Sequence, residues 1–124
     1  KELWTSALNA PGARQMIYIK KLMLQFPFLE GVPDETLIAN QGSRYDYMPA
    51  IRGQKYALIY TYNGKRMEVN MGKIAGDKVK ASWYNPRNGK EIRIGTINNT
   101  GTKEFQPLGV KKDGNDWVLI LRSN

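Results

Sequence analysis

The chain contains no cysteine and no histidine. Without cysteine there are no disulfides and no thiolate metal sites, and the redox compartment leaves no mark in the sequence. Without histidine, the commonest metal ligand and the commonest general base are both missing. No apolar run is long enough to span a membrane. No glycine-rich phosphate loop, internal repeat or low-complexity segment is visible. The first residue is Lys1, and no basic–apolar–small signal pattern follows it, so the sequence reads as a processed product or a piece of something longer.

What is present is an ordinary globular composition with an uneven charge. The 124 residues are 41% hydrophobic and 24% charged, enough for one domain with a real core. The net charge is +8. Residues 1–41 balance Lys1, Arg14, Lys20 and Lys21 against Glu2, Glu30, Asp34 and Glu35, whereas residues 42–124 carry 15 basic and 7 acidic side chains. The second part therefore favours an anionic partner: an acidic polysaccharide, nucleic acid or an acidic protein face. The basic residues are scattered and form no dense run, so solubility alone also accounts for them.

The hydrophobic period changes at the same boundary. Residues 1–35 read as helical, with Pro11 in the first turn and Met16, Ile19, Met23 and Phe26 recurring on one face, widened by Leu22. Pro27 stops the helix, and Phe26 to Glu35 is an irregular connector. From Thr36 onward the period is two, which marks strands. The candidates are 36–40, 45–52, 55–62, 65–71, 79–85, 90–95, 102–107 and 116–122, separated by turn signals such as Asn63-Gly64 and Asn88-Gly89. Short, evenly spaced strands predict a mainly β fold, an antiparallel β-sandwich of about eight strands or a small barrel. Pro86-Arg87-Asn88-Gly89 is the hairpin loop between two of them, with Gly89 in the left-handed position. Trp83 faces the core with Val79 and Ala81. Tyr84 faces the other way with Lys80 and Ser82, and Arg87 lies at the loop tip.

The residues point away from catalysis. A hydrolytic site needs a nucleophile and a base in reach of each other, and the spacing of Glu68, Glu91 and Glu104 on polar strand faces singles out no pair. Asp113-Gly114-Asn115-Asp116 resembles part of a calcium loop, but its closing Glu is missing and a turn fits better. Asn98-Asn99-Thr100 has the pattern of a glycosylation acceptor. No cofactor or metal is implied. The remaining signal is aromatic. Tyrosines can stack on sugar rings, and basic side chains can pair with uronic carboxylates, although tyrosine is also a favoured strand residue. Tyr84, Arg87, Tyr62 and Lys80 are the candidate ligand contacts on this reading. Stacked bases with phosphate-binding arginine would give a similar composition, but no nucleic-acid recognition motif accompanies it.

Several stretches resemble a known family. Trp4 to Ala39 is similar to the end of the catalytic barrel in apiosidase-like glycoside hydrolases, where a Pro-Gly-Ala…Gln-Met helix leads into a Val-Pro-Asp connector. Lys55 to Gly76, Val79 to Gly95, Gly101 to Gly109 and Asp116 to Leu121 resemble the β-sandwich module that closes such enzymes, which is labelled as a collagen-binding domain of a collagenase. Trp83-Tyr84-Asn85-Pro86-Arg87-Asn88-Gly89 and the terminal Asp116-Trp117-Val118-Leu119 are the most specific elements. The family usually shows Asp at position 85 and Thr at 88, and often Thr-Pro-Thr-Gly where this chain has Thr61-Tyr62-Asn63-Gly64. The resemblance implies a barrel-derived helix and connector over 1–35 and a non-catalytic sandwich over 36–124. It implies an upstream catalytic barrel in the same polypeptide as partner, and a periplasmic or extracellular location. It leaves acidic plant polysaccharide as a further ligand, and a protein- or collagen-binding module or a basic nucleic-acid-binding barrel as alternatives. The apolar stripe of the helix, cut from its barrel, is expected to pack on the sandwich or drive self-association.

Overall fold

Alternation predicts strands with one buried face, yet Tyr56–Thr61 is buried at all six positions and Trp117–Ser123 at its first five. The topology explains this. The computed structural model describes residues 31–124 together with Lys21, Leu22, Leu24 and Gln25. Among them are eight strands: β1 (Val32–Pro33), β2 (Ala50–Arg52), β3 (Tyr56–Thr61), β4 (Met67–Asn70), β5 (Lys78–Asn85), β6 (Lys90–Asn98), β7 (Thr102–Phe105) and β8 (Trp117–Ser123). All pairings are antiparallel. Six strands form one sheet in the order β1-β2-β3-β8-β5-β6, and β4 and β7 form a small second sheet. β8 is thus central, held by β3 on one side and β5 on the other.

The expected antiparallel sandwich of about eight strands is therefore what forms. One face of the large sheet packs against β4 and β7. Ala57, Ile59, Val79, Ala81, Trp83, Trp117, Leu119 and Leu121 meet Met67, Val69 and Phe105 there. Trp83 and Trp117 touch edge to face at 6.3 Å. The opposite, outer face is also apolar: Ile51, Tyr56, Leu58, Tyr60, Tyr84, Val118 and Ile120 form a second buried cluster, and Leu22 joins it at 0% exposure. This double burial is why the central strands show no alternation.

Two expected strands are corrected. Residues 36–40 are not a strand: Glu35–Leu37 is a short 3-10 turn, and only Ile38 makes an isolated bridge, to Val69. Asp34 causes this, because its carboxylate accepts the Thr36 amide hydrogen at 3.0 Å and caps the turn. The same carboxylate pairs with Arg52 at 2.7 Å. Burial works against its charge, but the Thr36 and Arg52 bonds hold it below the ordinary carboxylate range. The expected strand 45–52 shrinks to Ala50–Arg52, with a 3-10 turn at Arg44–Asp46. Gln41 fastens that loop: its Oε1 accepts from Met48 N and its Nε2 donates to Met48 O, at 2.6 and 2.9 Å. Pro49, which has no amide hydrogen, delays the strand until Ala50. β1 lies upstream of the expected start of the sandwich at 36. The predicted N-terminal helix and its Met16, Ile19, Met23 and Phe26 stripe lie outside the described residues.

Asn99 replaces a missing strand connection with side-chain bonds. Its Nδ2 donates to the Ile74 and Gly76 carbonyls, both at 2.8 Å, and its Oδ1 accepts from Gly72 N at 2.7 Å. It is buried, whereas Asn98, the acceptor position of the glycosylation triplet, is exposed and bonded to Lys78 Nζ.

Two glycines separate conformational from steric cost. Gly64 (φ +74°) and Gly101 (φ +73°) share a left-handed backbone, but a Cβ on Gly64 would lie 2.6 Å from Asn115 Nδ2, and one on Gly101 meets nothing within 4 Å. Gly101→Ala should cost about 1 kcal/mol for its backbone alone. Gly64→Ala should cost at least about 1 kcal/mol more, because Asn115 must give way and it holds the Leu108 and Val110 carbonyls at 2.9 and 3.0 Å. Urea denaturation of the two variants checks the difference; equal losses would refute it.

Candidate functional site

The loop between β5 and β6 is built as the sequence predicts. Asn85 Oδ1 accepts the Arg87 amide hydrogen at 2.9 Å, Gly89 N donates to Asn85 O at 2.7 Å, and Gly89 takes φ +77°. Asn88 Oδ1 accepts from Lys90 N at 3.0 Å. Asn85 and Asn88 therefore both fasten this turn.

The side chains of the loop do not point where the sequence suggests. Arg87 is not a free loop tip. Its guanidinium folds back 5.1 Å from the Trp117 ring centre, its Nε lies 3.2 Å from Asp116 Oδ1, and its Nη2 donates to Asp116 O at 3.3 Å. Asp116 is 0% exposed. Tyr60, from the middle of β3, donates its hydroxyl to the other carboxylate oxygen at 3.2 Å. Burial pushes the Asp116 carboxyl above its ordinary range; its own backbone amide, the Arg87 charge and the Tyr60 hydroxyl pull it part of the way back. Burial, then the Asp116 charge, raises Tyr60 so that its phenol stays protonated. Beside them Asn115 Oδ1 accepts from Trp117 Nε1 at 3.0 Å. Asn115 and Asp116 are thus occupied by internal contacts, and Asp113-Gly114 forms a turn. Among the described residues no three acidic side chains gather into a metal site.

Tyr84 is the plainest correction. It lies on the predicted face, with Lys80 and Ser82, but it is 4% exposed and packed in the outer-face cluster, because β8 lies directly alongside and places Val118 next to it. It offers no open ring for a sugar. Tyr62 is half-buried against the same cluster. Its neighbour Asn63 donates to Asp46 Oδ1 at 2.8 Å, so the altered turn at 61–64 is held from the side. Lys80 alone of the four candidates is fully presented to solvent. The structure brings Tyr84 and Tyr62 into one apolar cluster, joins Arg87 to that cluster through Asp116 and Tyr60, and leaves Lys80 at the far end of the sheet face.

The residues that sequence reasoning missed are Asp116 and Tyr60. Tyr60 carries a weak signal, a phenol near the end of a largely apolar strand, whose hydroxyl must find a partner when buried. Asp116 reads as a turn residue before a strand. Its pairing with Arg87 depends on β5 and β8 being neighbours, which no local pattern encodes.

The fold and these contacts define a class: an antiparallel β-sandwich with a buried carboxylate, Asp116, paired to Arg87 and Tyr60. Residues 32–122 match the family described as “Putative collagen-binding domain of a collagenase”, and the chain belongs to that family. It is similar to a solved protein described as a glycoside hydrolase, with 47% identity and a TM-score of 0.86 over 98% of this chain and 27% of that one. It is likewise similar to a glycoside hydrolase family 5 protein from Bacteroides vulgatus ATCC 8482, with 44% identity and a TM-score of 0.85 over 97% of this chain and 26% of that one. The chain spans about a quarter of the length of these solved relatives. No curated protein matches it.

Proposed function

We propose that the chain is a non-catalytic accessory module of a larger polysaccharide-degrading glycoside hydrolase, and that it packs against the catalytic barrel of the same polypeptide. The observation that carries this reading is the buried outer face of the large sheet. A two-layer sandwich ordinarily turns polar residues outward. Here the outer face is Ile51, Tyr56, Leu58, Tyr60, Val118 and Ile120, with Leu22 from the upstream segment buried against it. Such a face is a seat for preceding protein. The share of the solved relatives that the chain spans, 27% and 26%, leaves room for a whole catalytic domain in proteins of that length. The non-catalytic part of the reading rests on Asp116. A carboxylate at 0% exposure, locked to Arg87 and Tyr60, is not one of two acids flanking a glycosidic bond across a cleft. An enzyme acting on polymers too large to enter a cell would work in the periplasm or the medium.

The test compares the full-length enzyme with a version ending before residue 32. The shortened enzyme is expected to keep its turnover per folded molecule and to lose several degrees of thermal midpoint as apolar surface is uncovered. An unchanged midpoint, or glycoside hydrolysis by the present chain alone, would overturn the proposal.

A further inference from the structure

The far end of the outer face differs from the apolar part. Antiparallel partners share a face, so the pairings Tyr84↔Glu91, Ser82↔Arg93, Lys80↔Thr96 and Lys78↔Asn98 put those β6 side chains on the side of Lys78 and Lys80. Arg122 of β8 stands directly opposite Lys80 on the same side. Like charges directly opposite are unfavourable. Glu91 offsets Arg122, to which it bonds at 2.8 Å. Among the described residues no carboxylate pairs with Lys78, Lys80 or Arg93. All three are exposed, and among the described residues Lys80 and Arg93 bond to nothing.

We infer that this end of the sheet, Lys78, Lys80 and Arg93 beside the Arg122–Glu91 pair, binds a carboxylate-bearing polysaccharide. The charges spread over roughly 10 Å of an open strand surface, by the usual spacing along and between strands. That suits an extended polymer rather than a single ion. Thr96 and Asn98, exposed on the same rows, add hydrogen-bonding groups for sugar hydroxyls. The outer-face aromatics Tyr56, Tyr60 and Tyr84 are buried, so binding runs on charge and hydrogen bonds without ring stacking. The same fact disfavours single-stranded nucleic acid, whose bases need an open aromatic platform. The choice of a glycan as ligand rests on the accessory-module reading; the position of the strip does not.

The experiment is affinity electrophoresis of the chain through gels holding polygalacturonate, fully methyl-esterified pectin or neutral galactan, with duplex DNA in a fourth gel. Retardation is expected in polygalacturonate only and should vanish on adding salt, as exposed charges are screened. Lys80→Gln/Arg93→Gln should weaken it roughly three- to tenfold, the scale of two exposed ion pairs, with unchanged urea denaturation. No retardation, equal retardation in esterified pectin, stronger binding to DNA, or an unaffected double variant would each overturn the inference. None of these outcomes bears on whether the module stabilises its barrel, which the truncation measures separately.

Discussion

Trp117→Ala is expected to destabilise the chain by about 3–5 kcal/mol, enough to unfold a domain of ordinary stability. Three losses coincide at this residue. The indole is 5% exposed and fills the space between the sheets against Trp83. Its Nε1 bond leaves Asn115 Oδ1 without that donor, and Asn115 holds the loop before β8. Its ring also carries the Arg87 guanidinium. Trp117→Phe separates these effects: it keeps most of the packing and loses the indole bond, so about 1–2 kcal/mol should be lost. Denaturation by urea, followed through near-ultraviolet circular dichroism, measures both. A loss below about 1 kcal/mol for Trp117→Ala would contradict the packing described.

Arg87→Ala is expected to cost about 2–4 kcal/mol near neutral pH, because it strands the buried Asp116 carboxylate. The lower part of that range fits best, since the Arg87 side chain is 34% exposed and its attraction is partly screened. The pH dependence distinguishes this from simple loss of packing. Arg87 is one of the groups that pull the Asp116 carboxyl down, so its removal raises that group further. A carboxyl raised above its unfolded value of 3.8 takes up a proton in the folded state first. Its unfavourable contribution therefore disappears as pH falls through the folded value, and stability rises relative to neutral pH. The deficit of Arg87→Ala should shrink between about pH 7 and about pH 4. A constant deficit would assign the loss to the Trp117 contact instead. Asp116→Asn, which removes the charge and keeps the shape, should make the variant insensitive to pH over this window.

Much of the fold was legible because two local signals agree in β5 and β6. Alternating apolar residues and the Asn88-Gly89 turn specify a hairpin that pairs from Asn85↔Lys90 to Ser82↔Arg93, where a bulge shifts the register to Ala81↔Gly95. Legibility failed where side chains compete with the ladder. Asp34 turned an expected strand into a 3-10 turn, and Gln41 closed a loop where alternation suggested extension. Tyr84 and Arg87 are turned inward for a different reason. Periodicity states which face a residue lies on, and it placed Tyr84 correctly. It does not state whether that face is covered, and here an apolar cluster covers it. Arg87 was readable as a loop residue, but its partner Asp116 lies just before β8, distant in sequence and brought near only by the β5–β8 pairing.

The position of β8 has a consequence for how the molecule is made. The last strand in chain order is the one that joins the halves of the large sheet, β1-β2-β3 on one side and β5-β6 on the other. Until it has left the ribosome, those halves are separate ribbons, each with apolar residues on both sides and an open inner edge. The native sheet cannot grow residue by residue from its first strand. It closes in one late step, on contacts between segments far apart in sequence, which is slow and leaves unpaired edges open to other chains while it lasts. Losing β8 would not shorten the sheet by one strand; it would leave two ribbons with nothing between them.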